Sequence, residues 1–185
     1  MSGAASVGSG DQLRLFCALR LPAHVLDALA GWQAAELAAA RARLVGREQL
    51  HVTLAFLGRR PRGELAAVTD ELRAAAAAAT LPTLAVRGYR ETRSVGMLVC
   101  EDEGGFASAL AGDLHGRLEE LGVYQRERRP WLPHVTVARF RERPRLEPAL
   151  PDPGPFVTSE AAVYMSVLRP SGAQYSILES VAIGR

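Results

Sequence analysis

The tetrapeptide HVTL occupies residues 51–54, and a near-copy, HVTV, occupies residues 134–137. Each copy lies in an apolar, strand-like run and follows a predicted helix. Because residues i and i+2 of a strand point to the same face, each motif presents an imidazole and a hydroxyl on one face. The two aliphatic side chains of each motif point the other way, into a core. The repetition therefore predicts a duplicated fold with one motif in each half.

The two motifs supply a matched set of polar groups: His51 with Thr53, and His134 with Thr136. If the halves pack about an approximate two-fold axis, both pairs face one cleft. Histidine has an ordinary pKa of about 6.5, so one ring can be neutral while its partner is protonated. A neutral ring can take a proton from water, a protonated ring can give one to a leaving oxygen, and hydroxyls can bind phosphate oxygens. This set favours acid–base chemistry on a phosphate.

Two other interpretations of these residues stay open. A single His-x-Thr in a strand is more often structural, and only the repetition argues for catalysis. Histidine is also a common metal ligand, but no Asp, Glu or Cys near either motif has ligand spacing, so we expect no metal and no cofactor. His24 and His115 lie in helical patterns, and we expect them to be surface or satisfied residues.

Composition bounds the class of protein. The 185 residues carry a net charge of +2, and all 22 basic residues are arginine. No apolar run is long enough to span a bilayer, and the start lacks a secretory signal pattern, so we expect a cytoplasmic monomer with no membrane partner. Cys17 and Cys100 lie in apolar runs and are predicted to be buried, reduced thiols.

The remaining sequence alternates strands and helices. We predict a flexible tail over residues 1–12 and a single domain over residues 13–185. Apolar periodicity predicts strands at 13–21, 49–58, 83–91, 94–101 and 131–140, and helices at 23–44, 64–79 and 106–122. The proline-rich stretch 141–155 is predicted to be an exposed loop, followed by a hairpin of strands 161–169 and 174–183 that turns at Pro170, Ser171 and Gly172.

With these motifs, the chain resembles the 2H phosphoesterase superfamily and, within it, the RNA 2′,3′-cyclic phosphodiesterases, also named 2′-5′ RNA ligases. The resemblance rests on RLFCALRLP, LHVTLAFLG, PHVTVARF and SVLRPSGAQYSIL. It implies an α+β fold of two pseudo-two-fold lobes, each a mainly antiparallel sheet with outer helices, around an active-site cleft. It also implies metal-independent hydrolysis of RNA 2′,3′-cyclic phosphate ends to a 2′-phosphate, with possible reverse ligase activity. In the family pattern, His51 protonates the leaving 3′-oxygen and His134 activates water.

Four further residues are candidates for binding substrate. Arg139 matches the family's HxTxAR pattern, although its odd offset from Thr136 predicts the opposite strand face unless the strand bulges. Phe16 and Trp131 are candidates for stacking on a base, with core packing the main alternative for Phe16, and Tyr175 is a candidate for lining the cleft.

Two other functions fit the same residues. One is a cyclic phosphodiesterase acting on a small nucleotide such as a cyclic phosphate of ADP-ribose. The other is a module that binds RNA ends without turnover, although binding alone would not need two titratable groups facing one phosphate.

Overall fold

The computed structural model describes residues 12–38, 40–170 and 172–184. The predicted tail lies outside this range apart from Gln12, as does Ser171 of the predicted hairpin turn. Within the described part, the strands are β1 (Gln12–Arg20), β2 (Arg43–Leu44), β3 (His51–Pro61), β4 (Thr83–Glu91), β5 (Val95–Glu103), β6 (His134–Arg139), β7 (Phe156–Val157), β8 (Glu160–Arg169) and β9 (Gly172–Ala182). The helices are α1 (Ala23–Trp32), α2 (Leu65–Ala78) and α3 (Phe106–Glu120).

The strands form one antiparallel sheet in the order β7-β4-β5-β6-β3-β1-β8-β9, with β2 added to β6. The two motif strands, β3 and β6, are neighbours at its centre and share a single residue pair, Val52 with Val135. Beyond that pair the strands separate, and a cleft opens between a half built on β3 and a half built on β6. The predicted α+β class with two antiparallel halves is confirmed.

Strand β1 shows how the sequence separates the core from the cleft. Leu15, Cys17 and Leu19 are fully buried in the main core, which also contains buried residues of α2 and α3. The alternate residues of β1, Phe16 and Ala18, join a second small cluster with Ala162 and Tyr164 on the other face. Because neighbouring residues of a strand point to opposite faces, this second cluster becomes the floor of the cleft.

The first predicted helix is wrong beyond residue 37. Helix α1 passes into a π-helical turn at Gln33–Leu37, and Arg43–Leu44 forms β2 against β6. The next residue, Val45, donates its backbone N–H to the carbonyl of Val137 at 2.9 Å. The Ala- and Arg-rich sequence favours helix, but here pairing with the sheet overrides that weak local preference.

The segment 141–155 contains no helix or strand, as predicted. Glu91, at the end of β4, holds it in place: its side chain is only 2% exposed and accepts hydrogen bonds from the backbone N–H groups of Arg145 and Leu146, and from Arg143 and Tyr89. Burial raises the pKa of this carboxyl, but these four donors outweigh it and hold the pKa below its usual value. The loop is therefore tied to the edge of the sheet by one buried carboxylate.

Two smaller expectations can also be checked. Cys17 and Cys100 are buried and unbonded to each other, as predicted, and burial raises the pKa of each thiol to about 12. Among the described residues, no helix is both long and apolar enough to cross a membrane.

Candidate active site

The two motifs face each other across the β3–β6 junction. The antiparallel register sets Val52 opposite Val135. Continued by one residue in each direction, this register sets His51 beside Thr136 and His134 beside Thr53. Side chains opposite each other in such a ladder lie on the same face. In this register each imidazole projects to the same face as the hydroxyl of the other motif, so both halves contribute to one polar surface.

Both imidazoles are held in the same way. Nδ1 of His51 lies 2.7 Å from the carbonyl oxygen of Gln49, and Nδ1 of His134 lies 2.9 Å from the carbonyl oxygen of Leu132. A carbonyl only accepts, so in each ring Nδ1 carries the proton and donates it. In each neutral ring this leaves Nε2 as the basic nitrogen. The two residues are thus oriented alike, each by the carbonyl two residues upstream.

Each motif strand contains a bulge directly after its threonine. On β6, Thr136 pairs with Met97 and Ala138 pairs with the adjacent Gly96, so Val137 is an extra residue. On β3, Leu54 is skipped in the same manner between Thr53 and Ala55. An extra residue reverses the alternation of faces. The side chains five positions after the two histidines therefore return to the cleft.

Arg139 and Phe56 are the residues that the bulges turn inward. Both line the central cavity beside Thr53 and Thr136. The odd offset of Arg139 had predicted the opposite face, and the bulge at Val137 is the physical reason that it does not lie there. Phe56 was not predicted as a site residue. Its signal in the sequence is its spacing, since it follows His51 by the same five positions that separate Arg139 from His134.

In each motif strand, a buried polar side chain donates a hydrogen bond to the backbone carbonyl of the bulge residue. Gln33, only 3% exposed, donates Nε2–H to the carbonyl of Val137 at 2.7 Å and to that of Val45 at 3.0 Å. His115, only 5% exposed, has Nε2 at 2.7 Å from the carbonyl of Leu54 and must donate there. His115 is thus satisfied, as predicted. The two halves use different residues, from different helices, for the same purpose.

The cleft contains a cavity of about 340 Å³ at its centre. Among the described residues, four arginines line it and no Asp or Glu does. A positive, carboxylate-free pocket attracts anions such as phosphates. The lining residues are Arg14, Phe16, Arg43, Val45, Gln49, His51, Thr53, Phe56, Thr136, Arg139, Ser166, Leu168, Arg169, Gly172, Ala173 and Tyr175.

Aromatic rings surround His51. Its ring centroid lies 4.9 Å from Phe16, 5.6 Å from Tyr164 and 5.4 Å from Tyr175. Burial lowers the pKa of His51 to about 4, and electrostatic interaction with the neighbouring His134 and Arg139 adds to this effect. In the protein without substrate, His51 is therefore neutral at pH 7.

The predicted stacking residues occupy different environments. Phe16 is 3% exposed and stacked on Tyr164, so it supports His51 from the cleft floor. Tyr175 lines the cavity, and its ring makes a T-shaped contact with that of Phe16. Trp131 and His134 are outside the set of residues that line the cavity. The Trp131 indole N–H donates to the carbonyl of Thr53 at 3.0 Å, which links the approach to the second motif with the first.

Phe56 is the exposed aromatic ring of the cavity. It is 48% exposed, and the Arg14 guanidinium carbon lies 4.9 Å from its ring centroid. Within the part of the chain that the structure describes, the Nε atom of Arg14 is buried without a hydrogen-bond partner. A ring with one free face beside a cation is suited to stacking on a nucleobase.

In the described part of the chain, no three His, Cys, Asp or Glu side chains converge in a way that could hold a metal ion.

Comparison with known proteins identifies the family. The model of the 2′-5′ RNA ligase superfamily matches residues 21–166, and the chain belongs to this superfamily. This confirms the resemblance drawn from the motifs.

Individual relatives align along most of the chain. The RNA 2′,3′-cyclic phosphodiesterase of Thermus thermophilus is 33% identical over 190 residues, covering 92% of this chain and 90% of the relative. The Escherichia coli protein of the same name is 26% identical over 176 residues, covering 92% and 96%. A crystal structure of a Thermus thermophilus protein superposes with a TM-score of 0.80 at 31% identity, covering 92% of this chain and 98% of that one. The Escherichia coli protein LigT has the same fold, with a TM-score of 0.78 at 24% identity and coverage of 95% and 99%.

Proposed function

We propose that the protein hydrolyses the 2′,3′-cyclic phosphate at RNA ends to a 2′-phosphate, with His51 and His134 as the acid–base pair and without a metal ion. The observation that carries this proposal is the crossed register of the motifs, which sets each histidine opposite the other motif's threonine beside an arginine-lined cavity that His51, Thr53 and Thr136 line. The two relatives named RNA 2′,3′-cyclic phosphodiesterase support the choice of substrate.

Each group has a distinct task in this mechanism. The Thr53 and Thr136 hydroxyls and the Arg139 guanidinium bind the non-bridging phosphate oxygens and stabilise the charge that develops there. One histidine Nε2 removes a proton from the attacking water while the other donates a proton to the departing ribose oxygen. Phe56 stacks on the terminal base and so orients the cyclic phosphate between the two imidazoles. Phe16 and Tyr175 shape the wall behind His51, and Trp131 positions the strand that carries Thr53.

We assign the acid role to His51 and the base role to His134, following the family pattern. Burial keeps His51 neutral in the free protein, so this assignment requires the bound cyclic phosphate, an anion, to raise the pKa of His51. The negative charge of the phosphate favours the protonated ring, and it also offsets the smaller effect of Arg139 on the pKa of His51. Protonation of His51 is therefore coupled to substrate binding.

A turnover assay tests the reaction. A short RNA ending in a 2′,3′-cyclic phosphate is incubated with the enzyme in excess EDTA, and the product is identified as a 2′- or 3′-phosphate. We expect turnover to a 2′-phosphate that EDTA does not affect. His51→Ala and His134→Ala should each lower kcat by about 10²–10⁴-fold. Loss of turnover on chelation would refute the metal-free mechanism, and binding without turnover would favour a module that only recognises RNA ends.

A modified substrate tests the two histidine roles separately. A cyclic phosphate with sulfur in place of the 3′-bridging oxygen has a leaving group that needs little protonation. This substrate should restore activity to the variant that lacks the acid and not to the variant that lacks the base. We expect rescue of His51→Ala alone, and rescue of His134→Ala alone would reverse the assignment.

A further inference from the structure

A second cavity opens from the main one, beside the start of β9. Its volume is about 160 Å³, more than tenfold the roughly 10–15 Å³ that one water molecule needs. Arg43 and Arg139 line both cavities. The rest of the wall comes from the segment 44–49 (Leu44, Val45 and Gln49) and from the hairpin residues 172–175. We call it the hairpin cavity. It is continuous with the catalytic cleft through Arg139 and Tyr175, which the mechanism uses, whereas the mechanism gives no role to Arg43, Gln49 or Gln174.

The sheet pairs the two arginines of the hairpin cavity across neighbouring strands. Arg43 on β2 is the direct cross-strand partner of Arg139 on β6. Opposite residues of an antiparallel pair project to the same face, and like charges placed there are destabilising. Of the described residues that line the two cavities, none is an Asp or Glu. An anion bound near both guanidinium groups would turn the repulsion into two favourable contacts.

The hairpin is shaped to receive the Arg43 guanidinium. Gly172 has a φ of +121°, and a Cβ atom at this position would overlap the guanidinium group of Arg43. Gln49 donates its amide N–H to the Ala173 carbonyl at 3.2 Å and joins the approach to the first motif to the same turn. The cationic group is thus seated against the hairpin backbone, at the boundary of the two cavities.

We infer that the hairpin cavity binds the phosphodiester on the 5′ side of the terminal nucleotide, so that the enzyme prefers an RNA strand to a mononucleotide. This inference rests on the proposed function. In an RNA strand, that phosphodiester is the anionic group nearest to the terminal cyclic phosphate, one ribose away. A mononucleoside 2′,3′-cyclic phosphate has no such group, leaves the hairpin cavity without an anion and gains nothing from Arg43 there.

The test compares substrates that differ only in this phosphate. Initial rates give kcat/KM for adenosine 2′,3′-cyclic phosphate, for an adenylyl dinucleotide with the same cyclic end, and for that dinucleotide with a neutral methylphosphonate linkage. We expect the charged dinucleotide to be preferred over the mononucleotide by about tenfold, the scale of one hydrogen bond to a charged group. The methylphosphonate dinucleotide should fall close to the mononucleotide.

Variants locate the effect at Arg43. Arg43→Gln should lower kcat/KM on the charged dinucleotide by about tenfold and on the mononucleotide much less, whereas Arg43→Lys should retain part of the preference. Arg73→Gln, on the exposed face of α2, is the matched control and should preserve the preference. Equal rates for charged and neutral dinucleotides, or an equal loss on both substrate lengths in Arg43→Gln, would overturn the inference. Turnover of the mononucleotide without any length preference would refute the hairpin site alone, whereas no turnover of any substrate would refute the proposed function.

Discussion

Gln33 offers a sharp test of whether the bulge in β6 controls the active site. Its buried amide donates to the carbonyls of Val137 and Val45 and so holds β2 and the bulge of β6 together. In Gln33→Met the side chain keeps its length and loses both donors. The Val45 carbonyl then lacks this partner, while the Val137 carbonyl keeps the Val45 N–H at 2.9 Å. One buried acceptor left unsatisfied costs about 1–3 kcal/mol.

Two measurements follow for Gln33→Met. Thermal unfolding should show a lower melting temperature, by roughly 2–4 °C for each kcal/mol lost in a chain of this size. At a temperature where the variant stays folded, kcat/KM should fall by about tenfold, because a loosened bulge no longer holds Arg139 on the cleft face, and a misplaced charge-assisted contact costs about 1.5–3 kcal/mol. Gln125→Met, at an exposed loop position, is the control and should change neither quantity.

A double variant separates positioning from general damage. If Gln33 acts through Arg139, then Gln33→Met should cost little further activity in an Arg139→Gln background, because the contact is already gone. Losses that multiply in the double variant would refute this reasoning. So would a destabilised Gln33→Met enzyme with full activity.

Three other perturbations have defined outcomes. His115→Leu removes the donor to the Leu54 carbonyl in the bulge of β3, which turns Phe56 into the cleft. This variant should raise KM for nucleoside cyclic phosphates with little change in kcat. A fall in kcat alone would contradict a role for His115 in positioning Phe56. Because burial lowers the pKa of His51 to about 4, the unfolded state binds more protons between pH 6.5 and 4, so stability should be lost as pH falls through this window. The full loss in free energy of unfolding, roughly 3 kcal/mol, is reached below pH 4. Urea unfolding of the wild type and of His51→Gln across this pH range measures it, and the variant should not show this loss. Glu91→Gln should speed amide hydrogen exchange in segment 141–155 while leaving helix α2 protected, and uniform exchange rates would indicate that the carboxylate does not hold the loop.

Local patterns predicted much of the fold because they depend on neighbouring residues. The apolar run around Cys17 and the alanine-rich stretch of α2 formed the predicted strand and helix, and the hairpin strands formed near their predicted positions. The prediction of a helix extending to residue 44 was wrong because the structure there depends on residues that are distant in sequence. The pairing of Arg43–Leu44 with β6 depends on a strand about 95 positions further along the chain, and no local preference encodes it.

In the candidate site too, some residue positions follow from local sequence and others depend on distant contacts. Spacing within each motif predicted that His51 and Thr53 share a face, because alternation is a local property of a strand. The positions of Arg139 and Phe56 depend on bulges, and those bulges are bonded by Gln33 and His115, which are remote in sequence. The signal for Phe56 was present in the repeat, but it had meaning only if both strands bulged alike.

The sequence by itself determined which groups we propose for the chemistry: two His-x-Thr pairs on strand faces, in a chain of the 2′-5′ RNA ligase superfamily. Only the tertiary structure decided how those groups meet. The register of Val52 with Val135 crosses the motifs, the bulges bring Arg139 and Phe56 into the cleft, and β2 sets Arg43 against Arg139. The physical reason is that face alternation is encoded residue by residue, whereas register, bulges and opposed charges arise only when distant strands pair.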